Sequence, residues 1–248
     1  MNWLLTKPIA HRGLHNDVAP KNSLAAFKNA IEKGLPFEID VRLTADEVLV
    51  VCHDDDITDV YGKSGTVSRM NYDQLCTFDL SESGHKIPRF VDVLNLTQGQ
   101  VGILIEIKNF SQNRRTEEVL VEQLKGYQGP YVVQTFNPLA LKWLKANAPD
   151  IKRGVLSCLF TDDVKMSRMR KFLLSNMLLN PFAKPDFIAY DYNGLPKGAV
   201  KRARLPVLAW TVTSEEKAWE LINKGVCTNI IFEDFLPSNE LIEKISDK

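Results

Sequence analysis

The chain is poor in cysteine and has no long apolar run. Its four cysteines, Cys52, Cys76, Cys158 and Cys227, are scattered through apolar segments and form no C-x-x-C pair. A disulfide framework would be denser and would sit in a shorter secreted chain. The four are therefore expected to be reduced and mostly buried, in a cytoplasmic setting. The apolar stretch inside MNWLLTKPIAHRG is too short for a signal peptide. No run approaches the roughly 18 apolar residues of a membrane span. Charge of one sign is lacking too: 31 Lys and Arg balance 31 Asp and Glu, with a pI of about 6.9. Broad nucleic-acid affinity needs a clustered positive surface, so no nucleic-acid partner is expected. There is no linker rich in Pro, Gly or Ser and no low-complexity tract. A single domain over residues 1–248 is expected, a length that suits one α/β barrel.

What is present is a regular alternation. Strand-like runs lie at 8–13, 37–43, 47–54, 101–108, 131–136, 152–157, 186–192, 206–212 and 228–234. Helix-compatible stretches separate most of them. Ser23 to Gly34 places Leu24, Phe27 and Ile31 at helical spacing and ends on a glycine suited to a cap. Thr116 to Lys125 and Pro138 to Ala146 follow the same logic, the second with Pro138 as its first helical residue. Ser214 opens another, with Glu215 and Glu216 where the helix dipole favours them. Such alternation predicts parallel βαβ units. Only Thr44, Ala45 and Asp46 separate FEIDVRL from EVLVVCHD. A parallel crossover needs about a dozen residues, so these two runs form an antiparallel hairpin. One extra strand and eight parallel ones fit a (β/α)8 TIM barrel. The wide gap from 55 to 100, with Gly62, Gly65 and Gly84 and two short helical patterns near 71–77 and 88–96, reads as an insertion over the barrel mouth.

In a barrel the chemistry sits at the C-terminal strand ends. The first strand ends at His11-Arg12-Gly13. The second holds Glu38 and Asp40, two apart and so on one face. The extra strand ends at His53-Asp54, and the next parallel strand holds Glu106 and Lys108. Three converging carboxylates suit a hard divalent cation, Mg²⁺ or Ca²⁺, and repel one another without it. Arg12, a planar fork, and Lys108, a point charge, suit a phosphate. Two histidines provide an acid and a base near neutral pH. Glu106 sits in an apolar strand where an unpaired carboxylate is expensive. His15 and His85 fall in expected loops and read as solvated.

HRG at 11–13, NSLAAF at 22–27, EIDVRLTADEVLVVCHD at 38–54, KIPRFVDVL at 86–94, EIK at 106–108 and AWTV at 209–212 resemble the glycerophosphodiester phosphodiesterase family. The resemblance spans most of the chain in the family's order. It implies a TIM-barrel enzyme that uses a divalent metal to hydrolyse glycerophosphodiesters to glycerol 3-phosphate and an alcohol. It also implies that His11 and His53 are the catalytic histidines. Arg12 and Lys108 fall on phosphate-side positions, Glu38, Asp40 and Glu106 on metal-ligand positions, and Trp210 on a pocket-lining tryptophan that core packing explains equally well. Two other readings compete: a phospholipase D-like activity on lysophospholipids, and a phosphodiester-binding barrel without catalysis. The sequence departs from the family pattern at Lys21, where a Glu is usual in P-E-N-S/T. It departs again at Asp59-Val60, where an Arg-Thr pair is usual, and at the final TNIIFED.

One feature lies outside this chemistry. From Lys165 to Leu179, Met166, Met169, Leu173 and Met177 form a helical stripe beside Lys165, Arg168, Arg170 and Lys171. A basic amphipathic helix can rest on anionic lipid. Barrel helices commonly bury such a stripe against the strands, and that core reading is the expectation here. The basic run from Lys197 to Arg204 is expected to be a solvated helix face.

Overall fold

The computed structural model describes residues 2–82, 84–109, 113–161 and 166–247. In chain order the elements are α1 (Asn2–Thr6), β1 (Ile9–Ala10), α2 (Leu24–Glu32), β2 (Phe37–Leu43), β3 (Leu49–Val51), β4 (Asp56–Thr58), β5 (Ser64–Thr66), α3 (Tyr72–Leu75), α4 (Phe90–Thr97), β6 (Ile103–Ile107) and α5 (Arg115–Leu124). There follow β7 (Tyr131–Thr135), α6 (Pro138–Asn147), β8 (Arg153–Ser157), α7 (Arg168–Ser175), α8 (Asn180–Ala183), β9 (Phe187–Asp191), α9 (Gly198–Ala203), β10 (Val207–Val212), α10 (Glu215–Asn223), β11 (Asn229–Phe232) and α11 (Asn239–Ser246). The chain forms two compact units, residues 10–131, and residues 1–9 with 132–248.

In the unit of residues 10–131, β2 is the central strand. It pairs in parallel with β1 through Ala10 and Phe37, and with β6 from Phe37–Ile103 to Val41–Ile107. β3 pairs with it antiparallel, from Val41–Val51 to Leu43–Leu49, as the short five-residue connection requires. Phe37, Ile39 and Val41 fill one face of β2 and are fully buried. The opposite face carries Glu38 and Asp40, which are buried as well. Between β3 and β6 lies the inserted segment: the β4–β5 hairpin, then α3 and α4. It has a small core of its own, Val67, Leu75 and Ile87, packed on Val50 and Cys52. The two short helices of this segment match the sequence pattern. The hairpin was not anticipated, because Asp56–Thr58 and Ser64–Thr66 are short, polar and largely exposed.

In the second unit β7, β8, β9, β10 and β11 run parallel in sequence order. Helices separate each strand from the next. Several of these ends are capped as the sequence implies: Asn137 accepts from Leu139 N above Pro138, and the Ser214 hydroxyl accepts from Lys217 N. Eight parallel strands alternating with helices, plus the antiparallel β3, make this the (β/α)8 TIM barrel class. The basic run around α9 is a solvated face, with Lys201, Arg202 and Arg204 exposed.

Two expectations need correction. The stripe from Met166 to Met177 is a core stripe only in part. Met177 is buried and Met166 and Leu173 are half-buried, but Met169, within α7, is 74% exposed. Lys165 lies outside the described residues. His15 and His85 lie in loops as expected, but both are half-buried rather than solvated. The four cysteines are free; Cys52 and Cys227 are buried, Cys76 and Cys158 half-buried.

Candidate active site

The turn that follows β1 is held by backbone geometry. Arg12 (φ 56°) and Gly13 (φ 85°) both adopt left-handed conformations. A Cβ on Gly13 would lie 2.8 Å from the Ala26 backbone of α2, so only glycine fits. Ser23 caps α2 by accepting from Ala26 N. Asn22, also left-handed at φ 59°, donates its N–H to the Arg12 carbonyl at 2.9 Å. The first turn and the start of α2 are thereby fastened together. Arg12 N then donates to Glu38 Oε2 at 3.1 Å, and His11 Nε2 lies 4.0 Å from the same oxygen.

Strand register assembles the acids. Asp40 on β2 is paired with Glu106 on β6, and Glu38 sits one pleat back on the same face. One carboxylate oxygen from each lies within 4.8 Å of the others. Arg12 Nε approaches Asp40 Oδ2 at 3.1 Å, and the Asn22 side-chain amide donates to it at 2.9 Å. Lys108 Nζ lies 3.1 Å from Asp40 Oδ1 and 2.6 Å from Glu106 Oε1. Burial, and then the charges of Asp40 and Glu106, hold Glu38 well above the usual carboxylate range. Burial pushes Glu106 up to about 7 against the pull of Lys108. Burial would raise Asp40 too, but Lys108 and then Arg12 overcome it and bring its pKa to about 2.

This set is one positive charge short: three carboxylates face two cations. Glu38 Oε1 is buried with no hydrogen-bond partner among the described residues. Leaving such an oxygen dry is costly. An all-oxygen, buried, acid-rich set of this kind fits a hard divalent cation.

His53 follows β3. Its Nδ1 lies 2.9 Å from Asp54 Oδ1. A carboxylate only accepts, so Nδ1 carries the proton and Nε2 presents a lone pair. Burial and then the nearby Lys108 lower the His53 pKa from its ordinary value, which keeps the ring neutral at pH 7. A pocket of about 250 Å³ opens beside Arg12, Asn22 and His53, with Ile57, Phe78 and Ile87 among its apolar walls. Lys21 lies exposed at its edge, and Asp59 also lines it.

Seven of the eight residues singled out from the sequence thus belong to the first unit and gather in one cluster. Trp210 belongs to the second unit, near the C-terminal end of β10, edge-on to Phe136 at 5.8 Å. Three further residues were missed. Asn22 ties Arg12 to Asp40. Asp54 orients His53. Arg42 donates from Nε and Nη2 to the His53 carbonyl at 3.0 and 2.8 Å, and from Nη1 to the Lys108 carbonyl at 3.3 Å. Arg42 shares the face of Glu38 and Asp40 by its spacing of two, a signal that was available. For Asn22 there was only its place in P-K-N-S.

Residues 11–234 match the model of the glycerophosphoryl diester phosphodiesterase family. A glycerophosphodiester phosphodiesterase of Caldanaerobacter subterraneus subsp. tengcongensis is 31% identical over 234 residues, covering 89% of this chain and 91% of its own. A glycerophosphodiester phosphodiesterase structure from Parabacteroides distasonis is 26% identical with a TM-score of 0.71, covering 97% of this chain and 96% of that one. The structure of an Oleispira antarctica phosphodiesterase in complex with sn-glycerol-3-phosphate superposes with a TM-score of 0.78 at 24% identity, over 99% of this chain and 98% of that one. With its family pattern matched over nearly the whole chain, this protein belongs to the glycerophosphoryl diester phosphodiesterase family, whose members are phosphoric diester hydrolases.

Proposed function

We propose that the protein hydrolyses glycerophosphodiesters to glycerol 3-phosphate and an alcohol in a metal-dependent reaction, with His11 and His53 as acid and base. The observation that carries this reading is the buried trio Glu38, Asp40 and Glu106, short of positive charge and flanked by both histidines, Arg12 and Lys108. Those three carboxylates would hold Mg²⁺ or Ca²⁺, which when bound supplies positive charge to phosphoryl oxygens and lowers the pKa of an attached hydroxyl. Arg12 and Lys108 orient the phosphate and offset its charge.

A glycerophosphodiester carries a hydroxyl on the carbon beside the phosphoester oxygen. An internal nucleophile is already placed and so has a large entropic advantage over water. His53, neutral with its Nε2 lone pair available, takes the hydroxyl proton. As oxygen attacks phosphorus, His11 protonates the departing alcohol, and a cyclic glycerol phosphate forms. Water then opens the ring, with the two histidines in exchanged roles. The 250 Å³ pocket beside His53 suits the small glycerol portion, whose hydroxyl His53 would deprotonate.

The deciding assay measures release of the head-group alcohol from glycerophosphocholine, glycerophosphoethanolamine and a lysophospholipid, with and without chelator, the phosphorylated product being glycerol 3-phosphate from the first two and a lysophosphatidic acid from the third. Release from the first two, lost with EDTA and restored by Mg²⁺ or Ca²⁺, supports the reading. Full activity after verified metal removal would sink the metal role, and turnover of the lysophospholipid alone would move the assignment to a phospholipase D-like enzyme. A 2-deoxy analogue of glycerophosphocholine cannot cyclise. Its hydrolysis at the parent's rate would make water the direct nucleophile.

A further inference from the structure

Residues 166–185 contain Arg168, Arg170, Lys171 and Lys184 and no Asp or Glu. The same twenty residues expose large apolar side chains: Met169 at 74%, Phe182 at 63%, Phe172 at 60% and Leu178 at 46%. The arrangement on α7 is ordered. Successive helical residues turn by about 100°. With Met169 at the centre of the outward face, Phe172 and Leu173 fall within about 60° on either side. Arg168 and Arg170 fall about 100° to the left and right. Ser175, about 120° from Met169 on the Arg168 side, is the buried residue of this helix. An apolar crest is therefore rimmed by guanidinium groups, which stay solvated while the crest between them is the part that must be covered.

We propose that this outward face of α7 docks on a bilayer surface carrying anionic phospholipid. The charge decides the partner. Arg168, Arg170, Lys171 and Lys184, in a stretch of twenty residues that itself holds no Asp or Glu, call for an anionic surface, and the crest calls for hydrocarbon just behind it. A bilayer interface presents phosphates above acyl chains at that spacing. Met169 and Phe172 enter the acyl boundary, and Arg168 and Arg170 meet lipid phosphates. The proposal is independent of the reaction at Glu38, Asp40 and Glu106.

The test is co-sedimentation of the full chain with vesicles of phosphatidylcholine alone and of phosphatidylcholine mixed with phosphatidylglycerol. Partitioning to the anionic vesicles should be about tenfold stronger or more, and should weaken as salt is raised. The double variant Met169→Ser with Phe172→Ser should lose about tenfold of that binding, while hydrolysis of a water-soluble glycerophosphodiester is unchanged. Arg168→Gln with Arg170→Gln should lose the preference for anionic lipid. Should the apolar variant lose its far-UV spectrum, the arginine variant, altered only at solvent-exposed side chains, carries the test. Equal partitioning to both vesicle types, or unchanged binding by the arginine variant, overturns the proposal. So does a sedimenting dimer that the serine variant dissociates, which would assign the face to a second copy of the chain.

Discussion

Asp40 shows how much one residue can depend on its neighbours. It is buried, yet two cations hold its carboxyl near 2, while Glu38 and Glu106 beside it are pushed upward. The histidines act on substrate in the proposed reaction, so His11→Ala and His53→Ala should each lower kcat by about 10²-fold or more, with KM changing less. Steady-state kinetics on glycerophosphocholine checks this; near-normal kcat in either variant removes that histidine from the mechanism. Arg42 acts through others. Its guanidinium holds the carbonyls of His53 and Lys108, which follow two different strands. Arg42→Gln should reduce kcat about tenfold or more through misplacement of both side chains. The pH profile should shift with it, because the Lys108 charge helps to lower the His53 pKa. A fall in Tm without a change in kcat or in the pH profile would make Arg42 purely structural.

At the scale of elements, the site is a set of strand exits whose turns are pinned. β1 is only two residues long, and its turn depends on Gly13 against α2 and on the Asn22 link. After β6, Asn109 donates to the buried Glu117 of α5 at 2.7 Å, which anchors the exit that carries Lys108. Gly13→Ala should cost about 1–3 kcal/mol from backbone strain, with the Ala26 clash added. Ser23→Ala removes a helix cap and should cost about 1 kcal/mol, a Tm loss of about 2–4 °C. The glycine variant should also lose activity, because Arg12 and His11 move with the turn. Thermal melts and kcat on the two variants check this, and equal activity in both would show that the turn does not position the site. The strands and most helices here were legible in hydrophobic periodicity and caps. The β4–β5 hairpin was not, because polar residues on a two-stranded ribbon carry no burial signal.

For the molecule as a whole, the acid cluster sets how stability changes with pH. Glu106 folded titrates near 7, above the 4.5 of a solvated Glu, and Glu38 shifts the same way. Between those values the native state binds protons that the unfolded chain has released. Stability of the metal-free protein should therefore fall as pH rises from about 4.5 to 7. Asp40 has the opposite sign, its stabilisation being lost only as pH falls from about 3.8 towards 2. A divalent cation requires the ionised forms, so its affinity should rise over the same neutral window. Melting curves from pH 5 to 8, with EDTA and with Mg²⁺ or Ca²⁺, should diverge as pH rises. Parallel curves would show that the trio does not hold the ion. The barrel core of Phe37, Ile39, Val41 and their like does not need the metal, so the EDTA-treated protein should stay folded.

The amino-acid order by itself determined the strand–helix alternation, the β2–β3 hairpin and the identity of the charged strand ends. These follow from periodicity of two and 3.6, from connection length and from side-chain chemistry, all local properties. Which charges meet is not local. Glu106 is 66 residues from Asp40, and only the β2–β6 register sets them side by side. The same holds for Arg42, whose partners are backbone carbonyls that leave no mark in the sequence. The α7 stripe shows the limit most plainly. Its spacing was that of a core helix, but amphipathic spacing says only that one face is apolar. Whether that face is covered depends on how the helix packs in the fold, and α7 as packed leaves Met169 and Phe172 in solvent.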